Sequence, residues 1–344
     1  MGEGIMRWWG EMIRGRGVSC FLQRPFHTRL IRWFPGPIFR GYLHLLGRLY
    51  YGLNGQEKEE IRENLCTILT RLEPSISKNL AVTQTFRGIL SHYYEKLFIA
   101  YAPFDRVCRS VDQQMEIKDR HLLDEALALK RGLILVTAHF GAVEFLPLLL
   151  ALKGYPVTMV VRFRSEQLKR AQQQRADAVG VKLLDPADGP SVAFAALQAL
   201  KANRILITQC DEFTAWRPLA DRLAPFLGFP CPVDRTLDLL RRRYKSAVVM
   251  GLACRDGNGR YQLPLHALVG SGEESVVEGI GQRALGVLET YIRATPEQWY
   301  QWRKVRMILG THVLEEREPV LAVQRTRTAM AGDSNIPDLS LRFP

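Results

Sequence analysis

The chain has 344 residues, 47 % hydrophobic and 24 % charged, the balance of a globular protein able to bury a core, and a formal net charge of +12. No apolar run approaches the roughly 18 residues that a bilayer-spanning helix needs. Arg14, Arg16 and Arg24 interrupt the stretch where a secretion signal would lie. Cys20, Cys66, Cys108, Cys210, Cys231 and Cys254 form no CxxC pair, which argues against a zinc site or a disulfide framework and for reduced thiols in a cytoplasmic protein. The positive excess suits acidic partners: a phospholipid surface, nucleic acid or an acidic carrier protein.

Residues 1–56 form a basic aromatic segment. The first fifty positions hold eight arginines against two acids, Glu3 and Glu11, with Trp8, Trp9, Trp33, Phe34 and Phe39 among the interleaved aromatics. That composition fits a membrane interface, where each basic side chain near an anionic surface adds about 1 kcal/mol. It fits equally a basic helical layer packed on the rest of the chain. Residues 57–130 read as a helical lead-in: Ile61, Leu65, Ile68, Leu69 and Leu72 share one helix face and Leu90, Tyr94, Leu97 and Phe98 another, with Pro74 between them and Pro103 after.

An α/β core is expected over 131–310. Apolar runs begin at Leu133, Val157, Val181 and Ile205, each 24 residues after the last. Helical stretches around 143–153, 166–179 and 191–202 fill the intervals, and Gly154, Gly180 and Asn203 stand where those helices should stop. The alternation predicts a mainly parallel sheet flanked by helices. Further on come a helix at 237–244 ending in Arg241 to Arg243, a strand at 247–253, a turn at Asp256-Gly257-Asn258-Gly259 with a hairpin strand after it, and a helix at 276–292. The polar stretch 311–344 is expected to be a mobile tail.

Reactive groups in parallel sheets collect at the carboxyl ends of strands. His139 stands at such an end, followed by Phe140-Gly141-Ala142-Val143-Glu144. On one continuous helix, positions five apart diverge by roughly 140°. With His139 in the loop and Glu144 in the first helical turn, the carboxylate can reach back and hold the imidazole as a general base. A loop histidine followed by a glutamate that serves the helix dipole accounts for the same spacing. Asp211 and Glu212 follow the run at Ile205 and would share the site's edge, free to bind a substrate hydroxyl or pair with Arg162. Arg162 could serve an oxyanion or a phosphate, or be a plain surface residue, and the backbone amides near Gly141 are further oxyanion donors.

From about Ile61 to Arg306 the chain resembles the bacterial lipid A biosynthesis acyltransferases, the lauroyl/myristoyl-type branch of the lysophospholipid acyltransferase superfamily. The resemblance is carried, in order, by Arg62-Glu63-Asn64-Leu65, by His139-Phe140-Gly141-Ala142-Val143-Glu144, by Val161-Arg162-Phe163, by Gln209-Cys210-Asp211-Glu212-Phe213 with Pro225-Phe226-Leu227-Gly228, and by Pro296-Glu297-Gln298-Trp299-Tyr300. It implies a glycerolipid acyltransferase-like fold. The implied reaction carries an acyl chain from acyl carrier protein or coenzyme A thioester to a hydroxyl of a lipid A precursor. His139 and Glu144 would be catalytic, and Gly141, Arg162, Asp211 and Glu212 would bind substrate. No cofactor beyond the thioester co-substrate, no metal and no nucleic acid is implied. The expected place is the cytoplasmic face of a bacterial inner membrane, against an anionic lipid surface. Ala142 and Val143 depart from the family's Asn-Trp and Thr208 from its first Asp, which leaves other acceptors open: a glycerophospholipid, an ornithine-type lipid or a glycolipid. A non-enzymatic basic membrane-binding protein is the reading outside enzymes. No Gly-x-Ser-x-Gly elbow, P-loop or HExxH occurs.

Overall fold

The computed structural model describes residues 22–53, 55–72, 77–163, 165–189, 191–213, 218–271 and 279–305. The start of the basic segment and the expected tail lie outside the described residues.

Helices come first: α1 (Pro25–Trp33), α2 (Gly36–Leu53), α3 (Gly55–Leu72), α4 (Lys78–Tyr101) and α5 (Phe104–Gln114). Pro25 sits in the first turn of α1, where a missing N–H costs nothing. The apolar stripe of α3 buries Ile61, Leu65, Ile68 and Leu69, and that of α4 buries Leu90, Tyr94, Leu97 and Phe98, as their period predicts. Leu22, Ile31, Phe39, Leu43 and Tyr50 join the same core as the strands, so the described part of the basic segment is a packed layer. No helix among the described residues is long and apolar enough to cross a membrane.

The expected helical lead-in also contains a strand. Met115–Ile117 (β1) precedes α6 (His121–Ala128) and pairs in parallel with β10 (Tyr261–Leu263), which pairs antiparallel with β9 (Cys254–Arg255) across the glycine turn. A three-residue strand is too short to show a period.

The central sheet has six strands: β2 (Leu133–Thr137), β3 (Val157–Val160), β4 (Lys182–Leu184), β5 (Ile205–Gln209), β8 (Ala247–Gly251) and β11 (Leu265–Val269), in the spatial order β11-β8-β2-β5-β3-β4. All neighbours are parallel except β11 against β8. Every residue of β2 is buried, as a central strand covered on both faces requires. The crossover helices are α7 (Leu146–Leu152), α8 (Glu166–Ala178) and α9 (Ser191–Lys201); Gly154, Gly180 and Asn203 take positive φ just after them, closing the helix ends. The chain leaves β2 toward β3 on one side and β5 toward β8 on the other, so the loops part above the carboxyl ends of β2 and β5.

A separate two-stranded hairpin joins β6 (Pro218–Phe226) to β7 (Phe229–Asp234). Its turn is Leu227-Gly228, both at positive φ, and the Leu227 amide donates to Glu289 Oε2 at 2.7 Å. Helices α10 (Thr236–Arg242) and α11 (Ile280–Ala294) complete the core, followed by short 3₁₀ turns at Pro296–Gln298 and Gln301–Lys304. Arg241, in the last turn of α10, is buried and donates to the carbonyls of Ser246 and Gly270, each at 3.0 Å.

Candidate active site

Strands β2 and β5 run in register, with Thr137 opposite Gln209. The Cys210 amide continues the ladder, donating to the Thr137 carbonyl at 2.8 Å. Two residues past each strand, His139 therefore meets Asp211. The fully buried Asp211 carboxylate accepts the His139 backbone amide at 3.0 and 3.1 Å, the Trp299 indole N–H at 2.9 Å and, at 2.9 Å, the His139 ring Nδ1. An ionised carboxylate only accepts, so Nδ1 carries the ring proton and Nε2 presents its lone pair. Gln301 Nε2 stands 2.8 Å from the same Nδ1; turning that amide by 180° presents its oxygen to the ring N–H. The His139 side chain is 24 % exposed, with Glu212 Oε2 3.6 Å from Nε2 and Lys304 Nζ 3.8 Å from Glu212.

The loop after β2 is held from several sides. Phe140 bridges to Trp299, and the Tyr300 amide donates to the His139 carbonyl at 3.0 Å. Gly141 takes φ +55°, and a Cβ there would overlap the Ala253 carbonyl oxygen, so both the turn and the close approach require glycine. Beneath lies Arg255, whose guanidinium makes two 2.7 Å bonds to the buried Glu95, one of 2.9 Å to the Gly141 carbonyl, and one to the Tyr300 hydroxyl. Burial alone would lower the pKa of Arg255; Glu95 and Tyr300 outweigh it and hold the value above the ordinary one. Gln298 completes the frame, accepting the Arg255 amide at 2.8 Å and donating to its carbonyl at 3.1 Å.

Glu144 does not reach back to the His139 ring. It lies in a 3₁₀ turn, Val143–Phe145, and its Oε1 stands 3.9 Å from both His92 Nε2 and Lys96 Nζ. The turn starts two residues after the tight Gly141 bend and aims the carboxylate at α4, while the β2–β5 register had already filled the Nδ1 position with Asp211. His92 stacks on Tyr300 with ring centres 4.1 Å apart; burial, then Lys96 and Arg255, push its pKa well below the ordinary value and keep it neutral. The amides near Gly141 are also committed: Phe140 donates to Ala138, Gly141 to Gln298 and Ala142 to Ala253, at 2.7, 2.8 and 2.6 Å. Arg162 is exposed in the loop after β3, on the same sheet edge, and makes no ion pair or hydrogen bond with a described residue.

Glu144 also lines a narrow apolar crevice of about 60 Å³ between α4, α7, α8 and the β3–β4 edge, walled by Ile99, Leu148, Met159, Val161 and Leu183. Sequence reasoning missed His92 and Lys96, which ride on an ordinary amphipathic helix, and Arg255 with Glu95, which are 160 residues apart. A signal for Asp211 as the partner of His139 was present: each lies six residues beyond the start of its strand, Leu133 and Ile205.

A histidine–aspartate pair at the carboxyl edge of a parallel α/β sheet is the equipment of an enzyme that activates a hydroxyl. Residues 25–305 match the model of the bacterial lipid A biosynthesis acyltransferases, and the chain belongs to that family. It is thus an acyltransferase with a lipid acceptor. No curated protein matches the chain.

Proposed function

We propose that this acyltransferase moves a fatty acyl chain from a thioester of acyl carrier protein or coenzyme A onto a hydroxyl of a lipid A precursor. His139 Nε2 takes the hydroxyl proton as the oxygen attacks the thioester carbonyl. The tetrahedral adduct expels the thiolate by breaking the C–S bond, and the imidazolium returns its proton to the sulfur, leaving an ester and a free thiol. Asp211 holds the tautomer and stabilises the imidazolium, a contribution that with the base is worth ~10²–10⁴-fold. The fatty chain lies in the crevice, where burying each methylene contributes about 0.8 kcal/mol. Glu144 stands at the crevice wall, with Lys96 Nζ 3.9 Å from it, as the polar group that positions the reacting end, and Glu212 and Arg162 flank the acceptor. The reading includes work at the cytoplasmic face of the inner membrane, where thioester donors of this kind are supplied.

The observation that carries the reading is the 2.9 Å His139–Asp211 bond on a ring whose side chain is 24 % exposed. The test incubates purified protein with acyl thioesters and a panel of acceptors (lipid A precursor, glycerophospholipid, ornithine-type lipid, glycolipid), followed by mass spectrometry. Acyl transfer to the lipid A precursor that His139→Ala abolishes is the expected result. Transfer to another acceptor would move the acceptor assignment, and full activity of His139→Ala would remove the mechanism.

A further inference from the structure

Helices α1 and α2 leave an apolar seam open to solvent. Phe26 and Trp33 are 63 % and 83 % exposed on α1, and Ile38 and Leu45 are 57 % and 58 % exposed on α2. The spacings of seven within each pair put both members on one helix face, and Leu49, also exposed, extends the α2 seam by another turn. The seams meet at the joint Phe34-Pro35. Between 22 and 53 the chain has five arginines and no acid.

Each seam is flanked by a basic cavity on the same rotational side, roughly 60–160° round the helix. Beside α1 lies one of about 430 Å³ lined by Arg29, Arg32, Arg175 and Tyr101, whose buried hydroxyl has no hydrogen-bond partner among the described residues. Beside α2 lies one of about 480 Å³ lined by Arg48, Lys58, Arg87 and His44. None of Arg29, Arg32, Arg48 and Arg87 has a carboxylate within ion-pair distance among the described residues. Charge gathers there strongly enough that Arg87, Arg48 and Arg40 add to burial in lowering the His44 pKa.

We propose that this face of α1 and α2 docks on an anionic lipid bilayer, with the aromatic seam in the interface and a lipid phosphate seated among Arg29, Arg32 and the Tyr101 hydroxyl. The docking serves the lipid-acylating reading above and rests on it. A row of exposed aromatic and aliphatic side chains alternating with unpaired guanidinium groups fits a headgroup layer over apolar chains. An acidic protein surface would satisfy the arginines but leave Trp33 without an apolar phase. The α1 cavity also shares Phe104 and Arg175 with the apolar crevice, so a lipid held there lies next to the space assigned to the fatty chain.

The test is co-sedimentation of the full chain with phosphatidylcholine vesicles, with and without 30 mol % phosphatidylglycerol (~30 %, enough to charge the surface). Binding should be at least about tenfold tighter to the anionic vesicles and fall with salt. Arg29→Ala/Arg32→Ala should weaken it about thirtyfold, and Phe26→Ala/Trp33→Ala by a similar factor on both vesicle types. Phe194→Ala, 65 % exposed on α9, should change nothing. His139→Ala should bind vesicles like the parent chain, which separates a failure of docking from a failure of the catalytic reading. Equal binding of all variants, no preference for anionic vesicles, or capture of acidic carrier protein by Arg29 and Arg32 without vesicle binding would each overturn the proposal.

Discussion

Asp211→Asn keeps the shape of the side chain and removes its charge. In the parent, four N–H···O contacts converge on that carboxylate, from the His139 amide, its ring and Trp299. Asparagine offers one acceptor oxygen and an NH₂ that donates. If the oxygen keeps the Trp299 indole, the NH₂ faces the His139 ring, which must then accept at Nδ1 and carry its proton on Nε2, the tautomer that cannot act as a base. One buried donor goes unpaired, at about 1–3 kcal/mol of stability. The transfer step should slow by about 10²–10⁴-fold, as when the orienting carboxylate of a serine-protease triad is neutralised. Single-turnover release of thiol from a pre-mixed acyl thioester and acceptor isolates that step from product release. A rate within tenfold of the parent (~1.4 kcal/mol of barrier), in a protein melting at the parent temperature, would refute the assignment.

Gly141→Ala should lose transfer and about 2–4 kcal/mol in urea unfolding, because the new methyl meets the Ala253 carbonyl at a positive φ. Glu95→Gln should cost about 3–5 kcal/mol by leaving Arg255 charged and buried without its counterion, and Glu95→Gln/Arg255→Met should cost less than the sum of the two single changes. His27 is buried against the Tyr42 hydroxyl and its pKa is lowered to about 4, by burial first and Arg24 second. The folded state therefore resists protonation, so this stability is complete above the unfolded value of 6.5 and is lost as pH falls from there to about 4. Discounted for solvent screening, the loss is about 2 kcal/mol, and His27→Gln should flatten the melting temperature across that window. Met159→Trp, which narrows the crevice, should shift product toward shorter acyl chains when mixed thioesters compete.

The core strands were legible because parallel strands are apolar on both faces and stand out as uninterrupted runs, and because Gly154, Gly180 and Asn203 mark the helix ends by backbone chemistry alone. The β6–β7 hairpin was not legible: Pro218, Pro225, Pro230 and Pro232 speak against strands, and are tolerated because a two-stranded ribbon leaves each strand one unpaired edge. At the site, His139 announced itself by position, but its partner is chosen by spatial strand order. A reading along the chain favours the glutamate five residues on; the insertion of β5 beside β2 brings in Asp211 from 72 residues away. Gln298 secures packing through its two bonds to the Arg255 backbone, whereas nothing local in Gln301 foretells its contact with the imidazole.

The stretch from Pro296 to Lys304 is the last part of the reactive centre to be synthesised. Without it, the six-stranded sheet and the His139–Asp211 pair lack the Trp299 indole, the Gln301 amide and the Tyr300 amide that hold them. The reactive centre is therefore complete only once residues 296–304 have packed against it.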